Sequence, residues 1–325
     1  LARDLIAQGC AVRFVGAHLG KSRCFYKELF SFDEIASSNR TPWRLLQGVC
    51  RSIRLARAFR PQIAIGFGSY HAFPAMLAAR LLGIPLVVFE SNAVPGKVNR
   101  FFAKGAAVAA VQFSAAAAGF KERSAEVALP LWSRPSGMTR AEARRYFALQ
   151  PDRTTLLVCG GSQGARAINR VCGEAASALC ALQVIHLAGT ETEAEEVSAA
   201  YRRAGVTACV KAFETCMEAA WRASDVAVCR AGAATLAELL VYAVPAVLVP
   251  YPHAADDHQA VNAAWFAQQA GGGCVLAEEQ LGPETLQKAL FQCLECADAH
   301  REALAAYQAR KALPELATLI REMLA

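Results

Sequence analysis

Short apolar runs alternate with longer amphipathic stretches along this chain of 325 residues. In its first part, Ala11–Val15, Ile63–Phe67, Leu86–Phe89 and Ala106–Val111 read as strands. Further on, the strand-like runs are Leu156–Cys159, Val184–Leu187, Ala208–Val210, Val226–Cys229 and Ala246–Val249. They are mostly β-branched or aliphatic, three to six residues long and bounded by Gly, Pro or polar residues. Between them the apolar spacing is helical: Leu1–Gln8 running into Gly9, Trp43–Arg60 before Pro61, Phe73–Leu82 before Gly83, and Leu313–Leu324 at the end. Repeated strand-then-helix units predict an α/β protein with parallel sheets covered on both faces. Two such sets predict two doubly wound, Rossmann-like domains facing a cleft, divided after Pro130. A doubly wound domain ordinarily opens with a strand and loop before its first helix, so a strand and a glycine loop are expected ahead of Leu1.

Composition narrows the class. Hydrophobic residues make up 54% of the chain, yet no stretch reads as a membrane span. The most apolar run, Gly105–Phe120, is short, alanine-rich and interrupted by Gln112 and Ser114. The polar opening Leu1-Ala2-Arg3-Asp4 is not read as a signal peptide. The 12 cysteines are scattered and read as cytosolic thiols, Cys293 and Cys296 included. Charge is uneven. Residues 1–130 hold 17 basic and 7 acidic side chains, whereas the remainder holds 17 and 21. A basic first part predicts an anionic partner. No nucleic-acid motif accompanies it, so an anionic membrane surface or a pyrophosphate-bearing substrate is expected rather than nucleic acid.

Five segments carry candidate chemistry. Gly160-Gly161-Ser162-Gln163-Gly164-Ala165-Arg166 lies between a strand and a helix. There backbone N–H groups and a helix N-terminus can face a diphosphate. Cys229-Arg230-Ala231-Gly232-Ala233-Ala234-Thr235-Leu236-Ala237-Glu238 repeats the arrangement. Glu238 can accept both hydroxyls of a ribose, or simply favour the start of a helix. Pro250–Asn262 follows a strand and offers His258, Gln259 and Asn262 as polar tips. His253, Asp257 and His258 lack the spacing of a metal site, and no metal or other cofactor is expected. Phe89–Arg100 follows another strand with Glu90 and Asn92, the latter a ligand or a helix cap. Gly66–Ala75 is a further glycine turn, with Gly68, Ser69, Tyr70 and His71.

Taken together these segments resemble the MurG family of bacterial N-acetylglucosaminyltransferases, from Leu1 to about the last helix. The resemblance implies a two-domain GT-B glycosyltransferase: an acceptor and membrane domain over 1–130, a UDP-sugar domain over 131–310, and a helix over 311–325 returning to the first domain. It implies inverting transfer of N-acetylglucosamine from its UDP donor to the 4-hydroxyl of the muramyl sugar of lipid I, giving lipid II for peptidoglycan, and with it cell shape and division. The expected place is the cytoplasmic face of the inner membrane, peripherally bound. Donor contacts are implied for Ser162, Gln163, Gly164, Arg134, Ala233, Thr235, Glu238, His258 and Gln259. Acceptor contacts are implied for Asn92, Gly68, Ser69, Tyr70 and Asn169. The family's base belongs to a first glycine loop that this chain does not include, which leaves Glu90 and His71 as candidates and the base unassigned. Departures are Phe89 for His, Ser91 for Gln, Ser69 for Gly, and His258 where some members carry Gln; Arg134 is an approximate match. Competing readings are another glycolipid glycosyltransferase, a sugar-nucleotide epimerase, and a truncated chain that binds UDP-sugar without turnover.

Overall fold

The structure, a computed structural model, describes residues 1–325 except 22–24, 26, 38–40, 121–122, 132–134, 162–163 and 325. The chain forms two compact units, Leu1–Pro130 with Leu313–Ala325, and Leu131–Ala312.

The first unit opens with α1 (Ala2–Ala7), β1 (Phe14–Gly16) and β2 (Phe32–Glu34). It continues through α2 (Pro42–Phe59), β3 (Ala64–Gly66), α3 (Ser69–Leu81), β4 (Leu86–Glu90) and α4 (Lys97–Ala103). β5 (Val108–Val111), α5 (Ser114–Ala117) and β6 (Ser124–Glu126) follow. β3-β4-β5-β6 form one parallel sheet, and β1 pairs with β2 apart from it. β4 is buried on both faces, as a central parallel strand must be. Val87 and Phe89 join Leu5, Val127 and residues of the C-terminal helix Leu316–Leu324 on one side. Leu86 and Val88 join Met76, Val98 and Phe102 on the other.

Two helices differ from their sequence reading for local reasons. α2 begins at Pro42, a favoured first helical position, and stops where Arg60 turns left-handed. α3 begins at Ser69, four residues before the expected Phe73, because Gly68 turns the chain at φ +76°. Pro74 then lies inside the helix and has no N–H for the Tyr70 carbonyl. The hydroxyl of Ser37 donates to that carbonyl instead. The expected strand Ala11–Val15 pairs only from Phe14, where the register with Phe32 begins.

The second unit runs α6 (Arg140–Tyr146), β7 (Thr155–Cys159), α7 (Arg166–Glu174), β8 (Gln183–Leu187), α8 (Glu191–Ala204) and β9 (Thr207–Lys211). It continues with α9 (Met217–Ala223), β10 (Val226–Cys229), α10 (Ala233–Tyr242) and β11 (Ala246–Leu248). It ends with α11 (His258–Trp265), β12 (Gly273–Val275), α12 (Pro283–Glu295) and α13 (Ala297–Arg310); Leu316–Leu324 is α14. Its sheet is wholly parallel in the order β12-β11-β10-β7-β8-β9. The chain therefore winds from β7 one way to β9, then returns beside β7 and winds the other way. The reversal lies between β7 and β10, where doubly wound sheets open a crevice at their carboxyl ends. Asp225 secures the start of β10: its carboxylate takes Arg144 at 2.6 Å, Arg140 at 2.8 Å and the Thr155 N–H at 2.8 Å.

Candidate active site

The loops after β7 and β10 flank that crevice. Gly160 is fixed by space, and Gly164 by space and by backbone conformation. A Cβ at Gly160 would lie 2.3 Å from the Ala165 nitrogen. One at Gly164, which sits at φ +73°, would lie 2.2 Å from the Ala188 oxygen. Ser162, Gln163 and Arg134 lie outside the described residues.

After β10, Arg230 is buried and holds two loops together. Its Nη1 donates to the Val249 and Pro250 carbonyls at 3.2 and 3.1 Å, its Nη2 pairs with Glu278, and the guanidinium lies 5.4 Å from the Tyr251 ring centre. Its sequence signal was only its place after the strand. α10 then starts at Ala233, with Thr235 and Glu238 in its first two turns. Burial pushes the Glu238 carboxyl up to about 7.

The loop after β11 brings Gln259 and His258 to the same end of the sheet. Gln259 Oε1 accepts the Tyr251 N–H at 3.0 Å, which leaves its NH₂ to meet a ligand. His258 Nδ1 lies 2.7 Å from the Ala255 carbonyl. A carbonyl only accepts, so Nδ1 carries the proton and the neutral ring offers Nε2 as an acceptor. Asp256 and Asp257 are both left-handed, at φ 52° and 54°, and turn the chain sharply into α11. Among the described residues no group of three or more His, Cys, Asp or Glu could hold a metal ion.

Two site assignments are corrected in this unit. Asn169, expected at the acceptor, is 2% exposed and turned inward. Its amide donates to Ala188 O and Glu193 Oε2, both at 2.9 Å. Asn262, expected as a polar tip, is fully buried and donates to the Ala231 carbonyl at 3.1 Å.

In the first unit the loop after β4 is folded around Glu90, which is 3% exposed. One carboxylate oxygen accepts the Asn92 N–H at 3.0 Å and its Nδ2 at 3.3 Å. The other accepts Gly96 N–H at 2.9 Å and Asn99 Nδ2 at 2.8 Å. With both oxygens occupied by donors and the side chain buried, Glu90 anchors the loop and is a poor candidate for a base. Asn92 is half-buried beside it. Gly68 lies against Asn99, whose Nδ2 would be 2.9 Å from a Cβ there, which joins the loops after β3 and β4.

Ser69 is left-handed at φ +69°, a conformation that glycine adopts without strain. Tyr70 and His71 are exposed at the start of α3. The His71 ring meets the His18 ring edge-on, centroids 5.3 Å apart. Sequence reasoning missed His18; its place just beyond the short strand β1 was the available signal.

A glycine turn and a carboxylate-bearing helix at the switch point of one doubly wound unit, with a second Rossmann-like unit in the same chain, define the class: a GT-B glycosyltransferase. The chain belongs to glycosyltransferase family 28. The family's N-terminal domain matches residues 1–111 and its C-terminal domain residues 155–320. A UDP-N-acetylglucosamine–N-acetylmuramyl-(pentapeptide) pyrophosphoryl-undecaprenol N-acetylglucosamine transferase of Protochlamydia amoebophila is 37% identical, over 98% of this chain and 89% of its own length. The enzyme of that name from Chlamydia muridarum is also 37% identical, over 82% of this chain and 74% of its own. The crystal structure of Acinetobacter baumannii MurG superposes with a TM-score of 0.78 at 27% identity, covering 99% of this chain and 92% of that one.

Proposed function

We propose that this protein transfers N-acetylglucosamine from UDP-N-acetylglucosamine to the N-acetylmuramyl sugar of an undecaprenyl-pyrophosphoryl pentapeptide acceptor. The observation that carries this reading is the placing of Gly164 on the loop after β7 and of Glu238 in the helix that follows the loop after β10, the two loops that flank the β7/β10 switch. It is joined by 37% identity to a transferase of that name along nearly the whole chain. In this reading the second unit takes the donor. The N-termini of α7 and α10 face its diphosphate, with Ser162, Gln163, Arg134, Ala233 and Thr235 contributing. Glu238 accepts the ribose hydroxyls, and Gln259 and His258 hold the sugar.

The first unit takes the acceptor through Asn92, Gly68, Ser69 and Tyr70. The acceptor 4-oxygen attacks the anomeric carbon from the face opposite UDP. The bond to the diphosphate breaks, the configuration inverts, and the hydroxyl proton passes to a base, for which His71 is the exposed candidate. Charge growing on UDP is met by helix N-termini and backbone N–H groups.

α2 supplies a membrane face. Arg44, Arg51, Arg54, Arg57 and Arg60 are exposed along it, beside Trp43 at 67% and Leu46 at 50% exposure. No helix among the described residues is long and apolar enough to cross a membrane. A peripheral position on the cytoplasmic leaflet suits an acceptor with a polyprenyl tail.

The test is transfer of radiolabelled N-acetylglucosamine to that acceptor in detergent. Label should enter the lipid product with N-acetylmuramyl acceptor and not with undecaprenyl phosphate. Hydrolysis of donor without transfer refutes the assignment.

A further inference from the structure

Behind the glycine turn lies a chain of polar groups that the proposed chemistry does not use. His186, within β8, is wholly buried. Its Nδ1 lies 2.9 Å from the Tyr201 hydroxyl on α8, and its Nε2 lies 3.0 Å from Asn169 Oδ1 on α7. The partners fix the protons. The Asn169 nitrogen is committed to two acceptors, Ala188 O and Glu193 Oε2. The atom facing His186 is therefore a carbonyl oxygen. Nε2 must donate to it, and Nδ1 must accept from the Tyr201 O–H. Burial holds the ring neutral, its pKa down to about 3.

This chain ends on the donor loop. The Ala188 carbonyl held by Asn169 is the floor under Gly164, since a Cβ at Gly164 would meet it at 2.2 Å. Glu193, the second acceptor, also pairs at 3.2 Å with Arg166, the first residue of α7. Asn169 thus touches both the surface on which the turn rests and the carboxylate that reaches the start of α7. The surrounding layer is apolar: Ile168, Val171, Val184 and Val197 are buried in the same cluster. A polar trio costs desolvation there that aliphatic side chains would not.

We propose that Asn169, with the tautomer of His186 set by Tyr201, is a positioning residue that holds Gly164 and the N-terminus of α7 where they receive the diphosphate of a nucleotide-sugar. This inference rests on the donor reading of the second unit. Asn169 touches no substrate; it acts through Ala188 and Glu193.

Two measurements test it. In the unaltered protein, ¹⁵N NMR of the histidine rings should show His186 as the Nε2–H tautomer from pH 5 to 8. A Nδ1–H ring, or a mixture, overturns the hydrogen-bond chain whether or not any variant folds. Second, Asn169→Asp keeps an acceptor for His186, removes the donors to Ala188 and Glu193, and sets two carboxylates together. Calorimetry should show UDP-N-acetylglucosamine binding weakened at least about tenfold, with the acceptor KM unchanged. Asn169→Asp with Glu193→Gln restores one amide donor and should recover part of the loss. Donor affinity within about twofold of the unaltered protein in Asn169→Asp, or equal weakening of donor and acceptor, refutes the positioning role. Failure of the unaltered protein to bind the donor refutes the donor reading itself.

Discussion

Donor binding should titrate with Glu238. Its carboxyl is displaced upward from 4.5 to about 7 because burial disfavours the charged form. Accepting two ribose hydroxyls requires the carboxylate, so only the ionised fraction is competent. The apparent Kd should therefore be about twofold above its high-pH limit at pH 7 and about elevenfold above it at pH 6. UDP-N-acetylglucosamine is the right probe, because neither of its phosphates titrates in this window while the terminal phosphate of UDP does. Binding at pH 7 should also release about half a proton, which calorimetry in buffers of different ionisation enthalpy measures directly. Glu238→Gln should weaken binding about tenfold to a hundredfold at pH 8 and remove most of the pH dependence. The apo protein should respond with the opposite sign. The folded pKa exceeds the unfolded value, so the contribution of Glu238 to stability is greatest below about 4.5 and falls as pH rises through 7. Glu238→Gln should then raise the Tm at pH 8 and leave it unchanged near pH 4. A Kd that is flat from pH 6 to 8, or a pH dependence surviving in Glu238→Gln, refutes the ribose role.

Gly164→Ala should abolish measurable donor binding and lower the Tm, because its Cβ would lie 2.2 Å from the Ala188 oxygen at φ +73°; donor affinity like that of the unaltered protein would show that the turn is not at the site. His186 should make the protein acid-sensitive. Its folded pKa is depressed to about 3 from 6.5, so stability is complete above 6.5 and lost as pH falls through 6.5 toward 3. At pH 5 the loss is about 2 kcal/mol, and His186→Gln should flatten this part of a denaturant-melt series. Replacing Arg51, Arg54 and Arg57 by Glu should release the protein from anionic vesicles at low salt, since each basic residue contributes about 1 kcal/mol near such a surface; vesicle sedimentation that does not change would move the docking face away from α2.

The sequence pattern located the central strands and missed three edge strands, β2, β6 and β12, for a physical reason. β7, β8 and β10 are buried on both faces, so their residues are almost uniformly apolar and announce themselves. β2, β6 and β12 have three residues each, among them Asp33, Glu34, Ser124, Glu126 and Gly273. Their backbone geometry is imposed by the neighbouring strand, and nothing in their side chains forecasts it. The site divides in the same way. The turn at Gly164 and the helix that carries Glu238 were legible because a turn and a helix start constrain residue type locally. Arg230 and His18 were not, since their partners arrive from other loops.

The two polar residues that were misplaced, Asn169 and Asn262, share one arrangement with Asn99. Asn99 in α4, Asn169 in α7 and Asn262 in α11 all lie within the first five residues of a helix that follows a strand-end loop. Each is buried. Each donates its amide N–H to a backbone carbonyl at or just beyond the end of a strand: Phe89 at 3.0 Å, Ala188 at 2.9 Å and Ala231 at 3.1 Å. Strand-end carbonyls leave the sheet ladder and must find donors elsewhere. An asparagine one turn into the adjacent helix supplies one without adding charge. From sequence alone such a residue looks like a ligand: it is polar, near a glycine or strand end, and beside residues that do face outward. Asn92, half-buried just beyond β4, cannot be told from Asn99 by residue type, yet the Asn99 amide donates to the Phe89 carbonyl and the Asn92 amide to Glu90 Oε1. The direction of the amide is settled by which carbonyl lacks a partner, a property of the assembled sheet.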